Sequence, residues 1–504
     1  MLPRTVLVAA LTLGLVSTDA AQPGPAPQTH LVIVVDGLRP DYVTEDVMPR
    51  LFRLGQRGTV FTAHHSVFPT VTRVNAASFV TGAYPEAHGI MGNTIYVPKA
   101  SPDKTLDTGQ RINLETVERA DGPLLTAPTL SELIKPAGKT VLAVSSGSSG
   151  SAYLLNHTLA TGGIIHYDFV RPPALAARAA EVLGPAPPAA TPNDPRNQYA
   201  IDAYVKLGLD ERRPDVTFMW LNDPDGTAHA NGIGVPITRE ALRLVDGGIG
   251  RIEDALSARG LLTQTNIIVT SDHGFSTHTR ELKLAALVEP FARPMPDGTP
   301  DLIVAEGAIH FRAGWDPVRA GVIVEALQTR PEVGAIFTRG RPSSPIEGVV
   351  PGTLSFDVAR WNHPSRSGDI LVSANWSRAV NAAGFPGATT NSGVAGHGTS
   401  SLFDIHNTLI AAGPSFRERA RSSAPTGNVD IAPTLMKLLG LPVPSSMAGR
   451  VIEEGLRGGP SPNSIKVANT RQTVRVRNGS YELTVHSSIA AGKKYLNYTT
   501  VTRR

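Results

Sequence analysis

The chain has 504 residues, long enough to bury a large core, and its 41% apolar and 18% charged residues exclude a disordered or fibrous protein. Lys and Arg number 47 against 43 Asp and Glu, a formal +4 with no long basic run, so charge does not imply a nucleic-acid polymer as partner. There is no cysteine, which excludes disulfides and thiolate metal sites and leaves His, Asp and Glu as the only strong metal ligands.

MLPR, VLVAALTLGLV and STDAA read as the charged, apolar and cleavage regions of a signal peptide over residues 1–20. The apolar run is shorter than the ~20 residues a membrane span needs. The expectation is an exported chain, periplasmic or secreted, with no membrane span. HLVIVV (30–35) is a continuous β-branched run ending at Asp36-Gly37, as in a strand buried on both faces of a parallel sheet. Met48, Leu51 and Leu54 have helical spacing, stopped by Gly58. KTVLAV (139–144), DVTFMWL (215–221) and NIIVT (266–270) predict three further buried strands. Leu242, Val245, Ile249, Ile252 and Leu256 step by three and four, an amphipathic helix between the last two.

Strands alternating with helices predict an α/β domain around a mostly parallel central sheet flanked by helices. Residues 276–395 are richer in Pro and Gly, lack the alternation, and read as an inserted cap subdomain. The catalytic domain is then 21–275 with 396–457, and 465–504 reads as a C-terminal β-hairpin extension, with a type I′ turn expected at Asn478-Gly479.

Acids and histidines gather where these strands end. Asp36 closes the first strand; Asp225 and His229 follow the third in NDPDGTAH; Asp272 and His273 follow the fourth in SDHG; His397 lies in GVAGHGTSS. Loops at the carboxyl ends of parallel strands share one edge and form the ligand crevice. Each residue alone reads as a turn, a cap or a surface pair. Together, carboxylates and imidazoles without cysteine suit a divalent metal, zinc best, and six ligands exceed what one tetrahedral ion needs. Two ions a few ångströms apart would clamp an in-line displacement at phosphorus. A threonine could then be the nucleophile: Thr72, in FPTVTRVNAASFVTG, precedes a helix-like run whose N-terminus would favour a phosphoryl anion. Taken alone, Thr72 reads as an ordinary N-cap.

Asp36, PTVT with Thr72, TGAYPEAHGIMGN with Asn93, DPDGTAH, SDHG and GHGT, in that order, resemble the nucleotide pyrophosphatase/phosphodiesterase family of the alkaline phosphatase superfamily. The resemblance covers most of residues 30–440. It implies an alkaline phosphatase-like fold and a hydrolase with two Zn2+ per chain. One ion would be held by Asp225, His229 and His397, the other by Asp36, Asp272 and His273, with the Thr72 oxygen beside it. It implies cleavage of phosphodiester or pyrophosphate bonds in a small, nucleotide-like phosphorylated substrate through a phosphothreonine at Thr72, with Asn93 steadying a non-bridging phosphoryl oxygen. Family members often carry an aromatic residue after the nucleophile; here Arg73 stands there, a guanidinium suited to a second phosphate or a dianionic monoester. That departure keeps a phosphomonoesterase or phosphonate hydrolase as an alternative. SSGSSGSAYLLN (145–156) reads as a loop without the Lys or Arg that some monoesterases of the superfamily use. A non-catalytic exported binding protein that keeps the fold is the alternative from another class.

Overall fold

A computed structural model describes residues 28–279 and 282–504; the expected signal peptide, 1–20, lies outside the described residues. Its centre is one large sheet. In chain order the strands are β1 (Thr29–Val35), β2 (Thr59–His65), β3 (Val141–Ser145), β4 (Gly163–His166), β5 (Val170–Arg171), β6 (Val216–Leu221), β7 (Thr265–Thr270), β8 (His406–Ala412), β9 (Ala420–Ser422) and β10 (Thr426–Gly427). Across the sheet they run β9-β2-β8-β7-β1-β6-β3-β4-β5, with β10 also on β2. The run β7-β1-β6-β3-β4 is parallel. β8 is antiparallel to both of its neighbours, β7 and β2.

The apolar runs form these strands because both faces of the sheet are covered. In β1, Leu31, Ile33 and Val35 enter one core, and Val32 and Val34 enter the other. The helix α1 (Pro49–Arg57) and the long helix α4 (Pro236–Ala258) lie on the first side; Leu242, Val245, Ile249, Ile252 and Leu256 of α4 are its buried stripe. Helix α2 (Thr72–Thr81) lies on the second side, and nearly all of it is buried. Helix α3 (Asp225–Asn231) is short and sits at the carboxyl edge of β6. The described part is an alkaline phosphatase-like α/β fold.

Two smaller sheets lie between β7 and β8 in the chain. One has five strands, among them Leu302–Ala305, Ala308–Phe311, Val333–Thr338 and Ile370–Ala374. Its own core, with Ile309, Ile323, Val333 and Ile370, packs on the helix Pro317–Gln328. The other face is not separate: Ala335, Phe337 and Leu371 join the main core. At the C-terminus Val467–Arg475 and Tyr481–Ala490 pair, and a third strand, Lys493–Arg503, completes an antiparallel sheet. Tyr481 Oη donates to the Gly334 carbonyl at 3.0 Å, fastening this sheet to the inserted one.

Two local expectations are corrected. The turn before Tyr481 is not type I′: Gly479 N–H donates to the Val476 carbonyl at 3.0 Å, and Gly479 (φ 69°), not Asn478, takes the left-handed conformation. This is the longer connection that ends in a left-handed glycine. The Ser/Gly run after β3 is not all loop. Ser149–Leu154 is helical because the Ser148 side chain caps it, accepting from Ser151 N–H. Among the described residues no helix is long and apolar enough to cross a membrane.

Candidate active site

The strand ends bring the six acids and histidines together. β1 and β7 are neighbours, so Asp36 and Asp272 leave the sheet side by side, and Gly37 N–H donates to Asp272 Oδ1 at 3.1 Å. β6 lies on the other side of β1; its Trp220 donates Nε1–H to Asp36 Oδ2 at 2.9 Å. Asp225 and His229 are one turn apart on α3 and so share a face. Asp225 Oδ1 lies 3.3 Å from His229 Nε2, 3.4 Å from His397 Nε2 and 4.0 Å from His273 Nε2. His273 Nε2 is also 3.0 Å from Asp272 Oδ2 and 3.5 Å from Asp36 Oδ1.

Backbone carbonyls orient all three imidazoles. Nδ1–H of His229 donates to Ala395, that of His397 to Thr70, and that of His273 to Gly274, at 2.9, 2.8 and 3.0 Å. Each Nε2 lone pair is thereby turned inward, the arrangement in which histidine binds metal. The carboxylates do the same: one oxygen of Asp36 and one of Asp272 are held by the protein, while Asp36 Oδ1, Asp272 Oδ2 and Asp225 Oδ1 are buried without a hydrogen-bond partner. Lone pairs facing lone pairs at 3–4 Å repel unless a cation lies between them. Electrostatics reports the same strain. Burial, then the Asp272 and Asp225 charges, push the Asp36 carboxyl well above the usual range. Burial also opposes ionisation of Asp225, yet His229 and His397 hold it well below.

The donor atoms fall into two groups, each within 4.8 Å: Asp225, His229 and His397, and Asp36, Asp225 and His273. Asp225 belongs to both; Asp272, expected in the second group, lies against His273 at its edge. The residues present therefore fit divalent cations. The His273 side chain is 0% exposed, Asp225 15% and His229 43%, so the crevice opens to solvent on the His229 side.

The two threonines of PTVT have different tasks. Thr70 Oγ1 donates to the Thr399 carbonyl and accepts from Gly398 N–H, holding the loop of His397. Thr72 is not an N-cap: Val71 takes that place and Thr72 is the first residue of α2. Its hydroxyl makes no capping bond and faces His273 Nε2 at 3.3 Å. Asn93 joins the same helix end, its Oδ1 accepting from Arg73 N–H at 3.1 Å, which leaves the amide NH2 as the free donor. The Arg73 Nε is buried without a partner. Sequence reasoning misses Trp220, and it misses Asn428, whose Nδ2 donates to the Asp272 carbonyl and holds the SDHG turn. Both belong to segments whose pattern reads only as core.

A mostly parallel sheet with these carboxylates and imidazoles gathered at its carboxyl edge suits divalent cations. The chain belongs to the type I phosphodiesterase / nucleotide pyrophosphatase family, whose model matches residues 30–383. It is 29% identical over 274 residues to the venom phosphodiesterase of Macrovipera lebetinus, 51% of this chain and 27% of that one. It is 25% identical over 455 residues to the bis(5'-adenosyl)-triphosphatase enpp4 of Mus musculus, 88% and 84% of the two chains. The chain thus spans about a quarter of the venom enzyme's length and most of the triphosphatase's. Murine ectonucleotide pyrophosphatase/phosphodiesterase 5 shares the fold, with a TM-score of 0.59 at 20% identity over 83% of this chain and 96% of that one.

Proposed function

We propose that this chain is an exported zinc-dependent hydrolase of phosphodiester or pyrophosphate bonds in small nucleotide-like substrates, acting through a phosphothreonine at Thr72. The observation that carries the reading is the Thr72 hydroxyl: unused by any cap, at the start of α2, and 3.3 Å from His273 Nε2, which itself lies 3.0 Å from Asp272 Oδ2 and 3.5 Å from Asp36 Oδ1. Asp225, His229 and His397 would hold one Zn2+, and Asp36, Asp272 and His273 the other, with Asp225 close enough to both groups to contribute twice. Bound there, two cations lower the pKa of oxygen ligands and offset charge on the phosphoryl oxygens.

The chain's own residues supply the rest. Thr72 Oγ1, its proton passing to solvent through the crevice that opens on the His229 side, attacks phosphorus; the bond from phosphorus to the leaving group breaks, and the departing oxygen takes up a proton from water. Asn93 Nδ2 donates to a non-bridging oxygen as negative charge builds there, and the N–H groups of the first turn of α2 favour the same anion. Water then cleaves the phosphothreonine and regenerates the hydroxyl. We take 276–395 as the cap subdomain beside this site and 465–504 as a C-terminal β extension, whose Thr499 bonds Ser400 in the loop that follows His397.

A second reading, a phosphomonoesterase or phosphonate hydrolase, is favoured by one observation, the unpartnered Arg73 Nε beside the nucleophile. The experiment compares a nitrophenyl phosphodiester with its monoester on zinc-loaded protein, with Thr72→Ala as control. The diester should be turned over faster, and Thr72→Ala should lose roughly 10³-fold or more in kcat. Faster monoester turnover would move the assignment to the second reading, and an active Thr72→Ala would end both.

A further inference from the structure

Glu306 occupies the turn between Leu302–Ala305 and Ala308–Phe311 in the inserted five-stranded sheet. Its φ is 56°, a left-handed conformation that a residue other than glycine adopts at a cost. The turn carries the side chain out of its own sheet and against the loop that bears Asn93. Glu306 Oε2 accepts from Asn93 N–H at 2.6 Å and from Thr94 N–H at 3.3 Å. A Cβ on residue 92 would lie 2.8 Å from the same oxygen, so Gly92 leaves the space the carboxylate fills. Arg73 is the cation that acts on this carboxylate, and Asp107 the neighbouring anion.

Asn93 is therefore held at both ends. The inserted sheet grips its backbone through Glu306, and α2 grips its side chain through Arg73 N–H. Bonds to a charged acceptor are the stronger kind. A hydrogen-bond donor aids a transition state only when it is held in place beforehand.

We propose that Glu306 is a positioning residue for Asn93, by which the inserted sheet sets the orientation of the amide that meets the phosphoryl group. This rests on the role given to Asn93 above. It assigns the insertion a part in the chemistry without placing any of its atoms on the substrate.

The test uses the full-length, zinc-loaded chain and a nitrophenyl phosphodiester. It compares Glu306→Ala, Glu306→Asp, Glu306→Gln, Asn93→Ala and Asn93→Ala/Glu306→Ala. Glu306→Ala removes the acceptor and Glu306→Asp shortens its reach; each should lower kcat about 10-fold or more with KM nearly unchanged. Glu306→Gln keeps an acceptor oxygen and should retain most of the activity. The double variant should be no slower than Asn93→Ala alone, because the two residues act as one. Hydrogen exchange gives a readout independent of turnover: the Asn93 and Thr94 amides should lose protection in Glu306→Ala and Glu306→Asp but not in Glu306→Gln. Unchanged protection in Glu306→Ala, or losses that multiply in the double variant, would overturn the proposal. If Asn93→Ala is fully active while Thr72→Ala is dead, this inference falls and the hydrolase reading stands. If Thr72→Ala is active, the hydrolase reading falls, and this inference with it.

Discussion

The rings of His273 and His397 are stacked, with centroids 3.4 Å apart and planes inclined by 13°. One follows a parallel strand of the core; the other enters just ahead of β8, after the whole insertion. Each donates Nδ1–H to a carbonyl and keeps Nε2 for the crevice. Burial, then the charge on His273, pushes His397 down to about 4. Burial opposes protonation of His273 as well, yet the Asp272 and Asp225 carboxylates raise it above the ordinary value, so the two stacked rings are shifted in opposite directions.

His397→Ala should remove one donor and the ring that packs His273. Zinc measured by elemental analysis should fall by about one ion per chain, and kcat by ~10²-fold or more. Full zinc content in this variant would contradict the ligand assignment.

Gly274 lies between His273 and the backbone that leads into β8. Its N–H donates to the Asp404 carbonyl at 2.8 Å, and a Cβ there would stand 2.0 Å from the Phe403 carbonyl oxygen. No side-chain rotation relieves a clash with backbone. Gly274→Ala should cost about 3 kcal/mol or more in denaturant unfolding, with the loss seen in the midpoint rather than the slope.

Arg73→Phe restores the aromatic residue common in the family at this place. If the guanidinium favours a second negative charge, kcat/KM for the monoester relative to the diester should fall about 10-fold, the size of one such interaction. An unchanged ratio would show that Arg73 does not read substrate charge.

Several buried histidines outside the metal-ligand set should make the fold acid-sensitive. Burial pushes His30 down to about 4, and His64 and His88 down to about 3, from an ordinary 6.5. These imidazoles stay neutral in the folded chain but take up protons once it unfolds. Between about pH 6.5 and 3 the unfolded state binds more protons, so stability is complete above 6.5 and is lost as pH falls through that window. Tm followed from pH 7.5 to 4 should fall. The fall should be shallower in His88→Asn, which can still accept from Ile90 N–H as His88 Nδ1 does at 3.1 Å. A flat profile would refute the assignment of neutral buried rings.

What the sequence makes legible follows from physical contrast. HLVIVV stopping at Asp36 and NIIVT stopping before SDHG are abrupt changes from apolar to charged, and such breaks mark the carboxyl edge of a buried strand. α4 shows because one face is apolar over many turns. β2, TVFTAHH, shows no such contrast, because its histidines are buried through side-chain partners: His64 with Thr426 and Asn428, His65 with Asn497. Those partners lie hundreds of residues away, out of reach of any local pattern. Glu306 is similar: Glu-Gly in a turn reads as solvent-facing, and only the fold places it against Asn93.

β2 has a consequence for how the chain matures. Every strand it pairs with, β8, β9 and β10, is made after residue 405. Until they are made, the segment that leads into Thr72 lacks every sheet partner, although α2 itself packs on earlier parts of the chain such as the helix Ser149–Leu154. Contacts this distant along the chain form late and slowly. A truncation ahead of β8 would remove every strand that pairs with β2 and leave the approach to Thr72 at an unpaired sheet edge.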